Sequence, residues 1–129
     1  MRRDAVARRL ESADHRNVSA LAQPLIDHRD EIARLCRAYG VDRLEVFGSA
    51  ADGRFDPVRS DFDFIVRFAS GDGDSLARRF LGLAEALESL LGRRVDLMTD
   101  HAIENPYLRR SVEATRRSLY VEPTAEASA

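Results

Sequence analysis

The sequence predicts an α/β fold of the α+β kind, a small mixed sheet flanked by helices. Three observations predict it. Apolar residues recur at helical spacing across 24–39 and 75–91. Short apolar or alternating runs at 44–47, 61–68 and 94–98 lie between breaks rich in Gly, Pro and Asp. The resulting order, helix, strand, strand, helix, strand, helix, contains no internal repeat and no second core.

Each element has its own signal. Residues 4 to 13 fit a short, weakly amphipathic helix, followed by a DHRN turn that includes His15. A firmer helix spans Pro24 to Tyr39, with Leu25, Ile32, Leu35, Cys36 and Tyr39 as its apolar stripe; Pro24 suits a first helical position and Gly40 a stop. Leu44 to Phe47 reads as a strand ended by Gly48-Ser49, and the polar ADGRFDPVRS as a loop. A second strand, Asp61 to Phe68, runs into a Ser-Gly-Asp-Gly-Asp turn that contains Asp72 and Asp74. The longest helix covers 75–91 and stops at Gly92, with Leu76, Phe80, Leu83, Leu87 and Leu90 in one stripe that Leu81, Ala84 and Leu91 broaden. A third strand covers Arg94 to Met98. Asn105-Pro106 then opens a last helix with Leu108, Val112, Thr115 and Leu119 on one face. The division is an N-terminal helical extension over 1–22, one domain over 23–121 and a disordered tail over 122–129.

Composition removes several function classes. The 129 residues, 44% of them hydrophobic and 33% charged, suffice for one packed core. No apolar run approaches the ~18 residues that cross a bilayer, and the N-terminus lacks the apolar stretch of a secretory signal. The single cysteine, Cys36, lies in a helical pattern and reads as a small core residue. The expected location is the cytoplasm. A net charge of −2 gives no global positive field, so no direct nucleic-acid binding and no membrane partner are expected. All 20 basic residues are arginine. A Schiff-base lysine and a P-loop of the Gly-x-x-x-x-Gly-Lys type are therefore excluded, and a bound triphosphate would have to be neutralised by arginine, backbone amides and metal ions.

The chemistry concentrates in EVFGSAADGRFDPVRSDFDFIV, residues 45 to 66. Strand alternation puts Asp61 and Asp63 on one face and Phe62, Phe64 and Val66 on the other. Paired carboxylates on one face form a hard-oxygen site of the kind magnesium prefers, and their mutual repulsion is a reason to expect a cation. Gly48-Ser49 offers a turn that phosphate can approach closely. In Arg93-Arg94-Val95-Asp96-Leu97-Met98, Asp96 points away from Val95 and Leu97; beside the second strand it would join Asp61 and Asp63. Three carboxylates so placed can hold two ions about 4 Å apart for in-line phosphoryl transfer, with Asp96 set to accept the proton of the attacking hydroxyl.

These residues resemble the polymerase-β-like nucleotidyltransferase superfamily, and its minimal nucleotidyltransferase branch most of all, from about Ile32 to Tyr120. The resemblance implies that Gly48 and Ser49 bind the triphosphate of ATP, that Asp61 and Asp63 bind both magnesium ions, and that Asp96 completes the second. Two departures stand out. The usual Gly-Ser-x-Ala-Arg-Gly reads here Gly48-Ser49-Ala50-Ala51-Asp52-Gly53, and 11 residues, 50 to 60, separate Ser49 from Asp61 where ten is commoner. Arg54 and Arg59 are the candidates to replace the missing arginine at the nucleotide. Many minimal nucleotidyltransferases are antitoxins paired with a HEPN-domain ribonuclease toxin, and some transfer AMP to a tyrosine of it. The resemblance thus implies a HEPN toxin as partner and a protein hydroxyl as acceptor. Two alternatives stay open, a non-catalytic antitoxin that acts by occlusion and a small-molecule acceptor. A homo-oligomer is also left open.

Overall fold

The computed structural model describes residues 20–70 and 75–123. The helix expected at 4–13, the DHRN turn, Asp72, Asp74 and the tail beyond 123 lie outside the described residues.

The helix expected over 24–39 is two helices, α1 (Gln23–Asp27) and α2 (Arg29–Ala38). The break is one residue wide. His28 leaves helical geometry at φ −105°, ψ 21°, yet its N–H still reaches the Pro24 carbonyl at 3.0 Å and its carbonyl accepts from Ile32 at 2.8 Å. The His28 ring meets the Glu31 carboxylate at 2.9 Å. Asp30 and Glu31 put negative charge in the first turn of α2, where the helix dipole favours it.

Next come β1 (Val41–Phe47), the short α3 (Ser49–Asp52), β2 (Phe62–Phe68) and α4 (Leu76–Leu91). Strand β1 starts three residues earlier than its apolar run, because Val41 pairs with Phe68 and is buried although Asp42 and Arg43 follow it. The Ser75 hydroxyl caps α4 by accepting the Arg78 amide at 3.1 Å. Strand β3 (Val95–Thr99) then leads through a 3₁₀ turn, Asp100–Ala102, to α5 (Pro106–Thr115), which Asn105 caps. Among the described residues no helix is long and apolar enough to cross a membrane.

The chain then departs from expectation. The last helix stops at Thr115, and Arg117–Val121 forms a fourth strand, β4. Thr115 and Leu119, expected on one helical face, belong to different elements. Two forces end the helix. Ser-Leu-Tyr-Val pairs well in a sheet, and Arg116 turns to extended geometry (φ −60°, ψ 138°) with its guanidinium forked onto Glu45.

The four strands lie in the order β3-β2-β1-β4, with β2 and β3 parallel and the other two pairings antiparallel. One face carries Leu44, Val46, Phe62, Phe64 and Val66, packed with Leu25, Ile32, Cys36, Leu83 and Leu87 of the helices. Burial pushes the Cys36 thiol up to about 12, so it is an inert core residue at neutral pH. The other face carries Phe47 and Ile65 under Ile103 and Val112. The expected stripe of α4 is narrower than its sequence: Leu83 and Leu87 are fully buried, while Leu76 is 54% and Leu81 63% exposed.

Glu45 lies on this second face and is 8% exposed, the one polar residue buried among the described ones. Arg116 meets both of its carboxylate oxygens, Nη2 at 2.6 Å and Nε at 3.2 Å. The fork ties the start of β4 to the middle of β1. Arg116→Ala should therefore lower stability by about 2–3 kcal/mol, since it leaves the buried Glu45 carboxylate without its partner. Urea unfolding of the variant checks this, and Glu45→Ala should cost less, because Arg116 keeps the Glu113 carboxylate at 2.7 Å.

Candidate active site

Register brings the carboxylates to one end of the sheet. Phe47, the last residue of β1, pairs with Asp63, and Asp63 pairs with Asp96 across the parallel β2–β3 ladder. Asp61 sits just before β2, with its neighbour Phe62 bound through its N–H to the Arg94 carbonyl at 3.1 Å. Asp61 and Asp63 are half-buried and Asp96 is exposed. Phe62 and Phe64 anchor the strand from below, both fully buried, with Phe55 stacked on Phe62 at 4.7 Å.

The cost of this arrangement falls on Asp63. Loss of water pushes its carboxyl up to about 6, helped by the charges of Asp96 and Asp61 and by a hydrogen bond shared with Asp96. None of the ion pairs among the described residues involves Asp61, Asp63 or Asp96.

Gly48 closes the site from the β1 side. Its backbone lies at φ 76°, ψ −151°, a region open only to glycine, and a Cβ there would stand 2.9 Å from Asp63 Oδ2. Glycine is thus required twice, for the turn and for the carboxylate against it. The Gly48 N–H donates to Thr115 Oγ1 at 2.9 Å, and that hydroxyl donates onward to the Ser111 carbonyl at 2.9 Å. Ser49 follows as the first residue of α3, which Ala50 and Ala51 bury against the core. The loop expected from residue 51 onward therefore begins as helix.

The two candidate arginines are placed differently from the carboxylates. Arg54 Nε binds Asp52 Oδ2 at 2.7 Å, with the arginine side chain 70% exposed. Asp52, the residue at the usual arginine position, is thus held by Arg54. Arg59 is exposed, and its backbone N–H caps onto Asp56 Oδ1 at 3.3 Å. No ion pair joins either guanidinium to the carboxylates. Two other residues contact the site's framework and escaped sequence reasoning. Thr115 had no signal, since its partner is 67 residues away. Arg93 reads as a solvated charge, yet it donates to the carbonyls of Pro57 and Ser60.

Among the described residues no group of three or more His, Cys, Asp and Glu side chains is already gathered around a metal position. The donor chemistry nevertheless fits magnesium. That ion keeps several waters and is usually held by one or two carboxylates together with substrate phosphates, rather than by an all-protein cage. A repelling Asp61/Asp63/Asp96 corner beside a turn that tolerates close approach supplies the protein's share of such a set.

Residues 29–119 match the nucleotidyltransferase domain family. The chain belongs to it. Its chemistry is accordingly that of a nucleotidyltransferase. A relative from Methanocaldococcus jannaschii, provisionally named a protein adenylyltransferase, is 40% identical over 75 residues, which cover 58% of this chain and 73% of the relative. A solved structure of a provisionally assigned minimal nucleotidyltransferase superposes with a TM-score of 0.59 at 34% identity, over 74% of this chain and 92% of that one. A mutant of the MntA–HpeT toxin–antitoxin superposes with a TM-score of 0.52 at 25% identity, over 76% of each chain.

For metal-free protein the carboxylate corner makes a signed prediction. The folded value of Asp63, about 6, lies above its ordinary 3.8, so ionised Asp63 costs stability above pH 6 and the cost fades as pH falls toward 4. Asp63→Asn should raise the melting temperature in EDTA at pH 7.5 by several degrees, on the order of 1–3 kcal/mol, and should give little gain at pH 4. Scanning calorimetry at the two pH values reads both.

Proposed function

We propose that this chain transfers AMP from ATP, with magnesium, to a hydroxyl of a partner protein, and that the acceptor is a tyrosine of a HEPN-type toxin that the chain thereby neutralises. One observation carries the catalytic half. Asp63 and Asp96 stand in register on one sheet face, with Asp61 beside them and Gly48 closed against Asp63. Such a corner suits a nucleoside triphosphate and its cations.

In this reading Asp61 and Asp63 hold both magnesium ions and Asp96 completes the second. The ions supply charge neutralisation at the phosphates and a lowered pKa at the attacking hydroxyl. The Gly48-Ser49 turn receives the triphosphate. Asp96, the most exposed of the three, stands on the solvent side, where an incoming hydroxyl can give up its proton. Arg59, unpaired in the described structure, is the better candidate for phosphate; Arg54 would first have to leave Asp52.

The acceptor half draws on two supports. Relatives sharing about two-fifths of their aligned residues carry the name protein adenylyltransferase, and a structure at 25% identity is a toxin–antitoxin. The open position of Asp96 is compatible with an acceptor that brings its own surface.

The test incubates the chain with a co-encoded helical partner, magnesium and α-labelled ATP. Label should appear on a tyrosine-containing peptide of the partner with the mass of one AMP, and Asp61→Asn should abolish it. Neutralisation of the partner by Asp61→Asn as effective as by the parent, with no mass gained in either case, would establish occlusion instead.

A further inference from the structure

The backbone on both sides of Asp61 is fastened to the start of β3. Before it, the Ser60 carbonyl accepts from Arg93 Nη2; after it, the Phe62 N–H donates to the Arg94 carbonyl at 3.1 Å. Arg93 Nη1 reaches further back to the Pro57 carbonyl. The segment it grips is a closed unit. Asp56 Oδ1 accepts the amides of Val58 at 2.8 Å and Arg59 at 3.3 Å. Ser60 returns both bonds, its N–H to the Asp56 carbonyl at 2.9 Å and its Oγ accepting the Asp56 N–H at 2.9 Å. The turn is thus cross-bonded within itself, and Arg93 ties it to the segment that leads into β3.

Arg93 is not among the charges acting on Asp63, which are those of Asp96 and Asp61, and none of the ion pairs among the described residues joins Arg93 to any of the three. Its function is geometric. One end of the link is Arg93, two residues before β3 and three before Asp96; the other end is Ser60, adjacent to Asp61. A planar guanidinium can hold two carbonyls in fixed directions, whereas an ammonium is a single point donor.

We propose that Arg93 is a positioning residue that docks the 56–60 turn on β3 and so fixes the spacing between Asp61 and Asp96 that a divalent cation requires. The inference rests on the reading of those carboxylates as metal ligands. Its consequence is specific: weakening the clamp weakens cation affinity more than it weakens the fold.

The experiment measures binding of AMP-PNP to the full chain by calorimetry across a magnesium series, with thermal unfolding in EDTA alongside. Arg93→Ala should raise the half-saturating magnesium concentration tenfold or more, with full AMP-PNP binding recovered at high magnesium. Arg93→Lys should fall between that variant and the parent, with an unfolding temperature within about 2 °C of the parent's, and it carries the test if the alanine variant does not fold. Amide exchange at Asp61 and Phe62 should quicken in both. A half-saturating magnesium concentration equal to the parent's in both variants would overturn the proposal, as would a binding loss that tracks the unfolding temperature and is not rescued by magnesium. Failure of the underlying reading looks different: the parent chain would bind AMP-PNP with no dependence on magnesium, or its Asp63→Asn variant would keep the parent's magnesium dependence unchanged.

Discussion

Asp63 and Asp96 face each other across a parallel ladder, with Asp61 beside them, and their repulsion is the constraint around which the rest of the structure is organised. Like charges brought into register cost stability, and a sheet resists that cost only if its opposite face is well buried. Here it is. Phe62 and Phe64 alternate with the carboxylates along β2 and are wholly enclosed beneath α2 and α4. Moving β2 by one residue would exchange the two sets, taking both rings out of the core beneath α2 and α4 and turning the acids into it. The same alternation that creates the repulsion therefore prevents the strand from slipping away from it. Gly48 adds the second restraint, since its missing side chain lets the β1 turn close against Asp63.

The absence of lysine gives the framework a distinct character. Arginine forks take the structural roles at several corners. Arg93 holds two loop carbonyls, Arg116 takes both oxygens of Glu45, and Arg109 binds Asp100 while also reaching the carbonyl of Ile103. Arg79 lies over the Phe68 ring at 5.2 Å and donates to the Ala69 carbonyl at 3.2 Å. Each is a contact in which planarity and several donors matter more than charge. Net charge says little about these sites, because cations committed to carbonyls and buried acids are not available to attract a polyanion.

Legibility in the sequence followed the range of the interaction. The helical stripe of 75–91, the strand from 61 to 68 and the carboxylate spacing depend on neighbours two to four positions away, and those periodicities were readable. The family resemblance was readable for the same reason, since it rests on a compact motif. What failed was decided at long range. The fourth strand was hidden because Leu108, Val112 and Leu119 keep helical spacing across the point where the helix ends, and the force that ends it, the Arg116–Glu45 fork, joins residues 71 apart. The break at His28 was hidden for another reason, being one residue wide and lying between Leu25 and Ile32, whose spacing of seven keeps helical phase across it. At the site, Asp61, Asp63 and Asp96 were readable as a group, whereas their supports Thr115 and Arg93 act through backbone groups, which leave no trace in side-chain pattern. The roles of Arg54 and Arg59 were least legible, because Asp52 competes for Arg54 through a local contact that residue types alone do not rank.

The carboxylate corner is also the part of the molecule least able to finish itself. Asp96 is exposed, and no described side chain neutralises the group. Val58, on the turn gripped by Arg93 and three residues before Asp61, is an apolar residue left 81% exposed by the described residues. An attacking hydroxyl must be held in line with the α-phosphate and shielded from water, and a flat, wet sheet edge does neither by itself. On the proposed reading the missing wall belongs to the acceptor. The nucleotide and its cations would relieve the repulsion at the sheet edge, and the docked partner would cover the turn and Asp96 together. The fold then supplies a rigid, electrostatically unfinished corner, and specificity for the acceptor follows from which surface completes it.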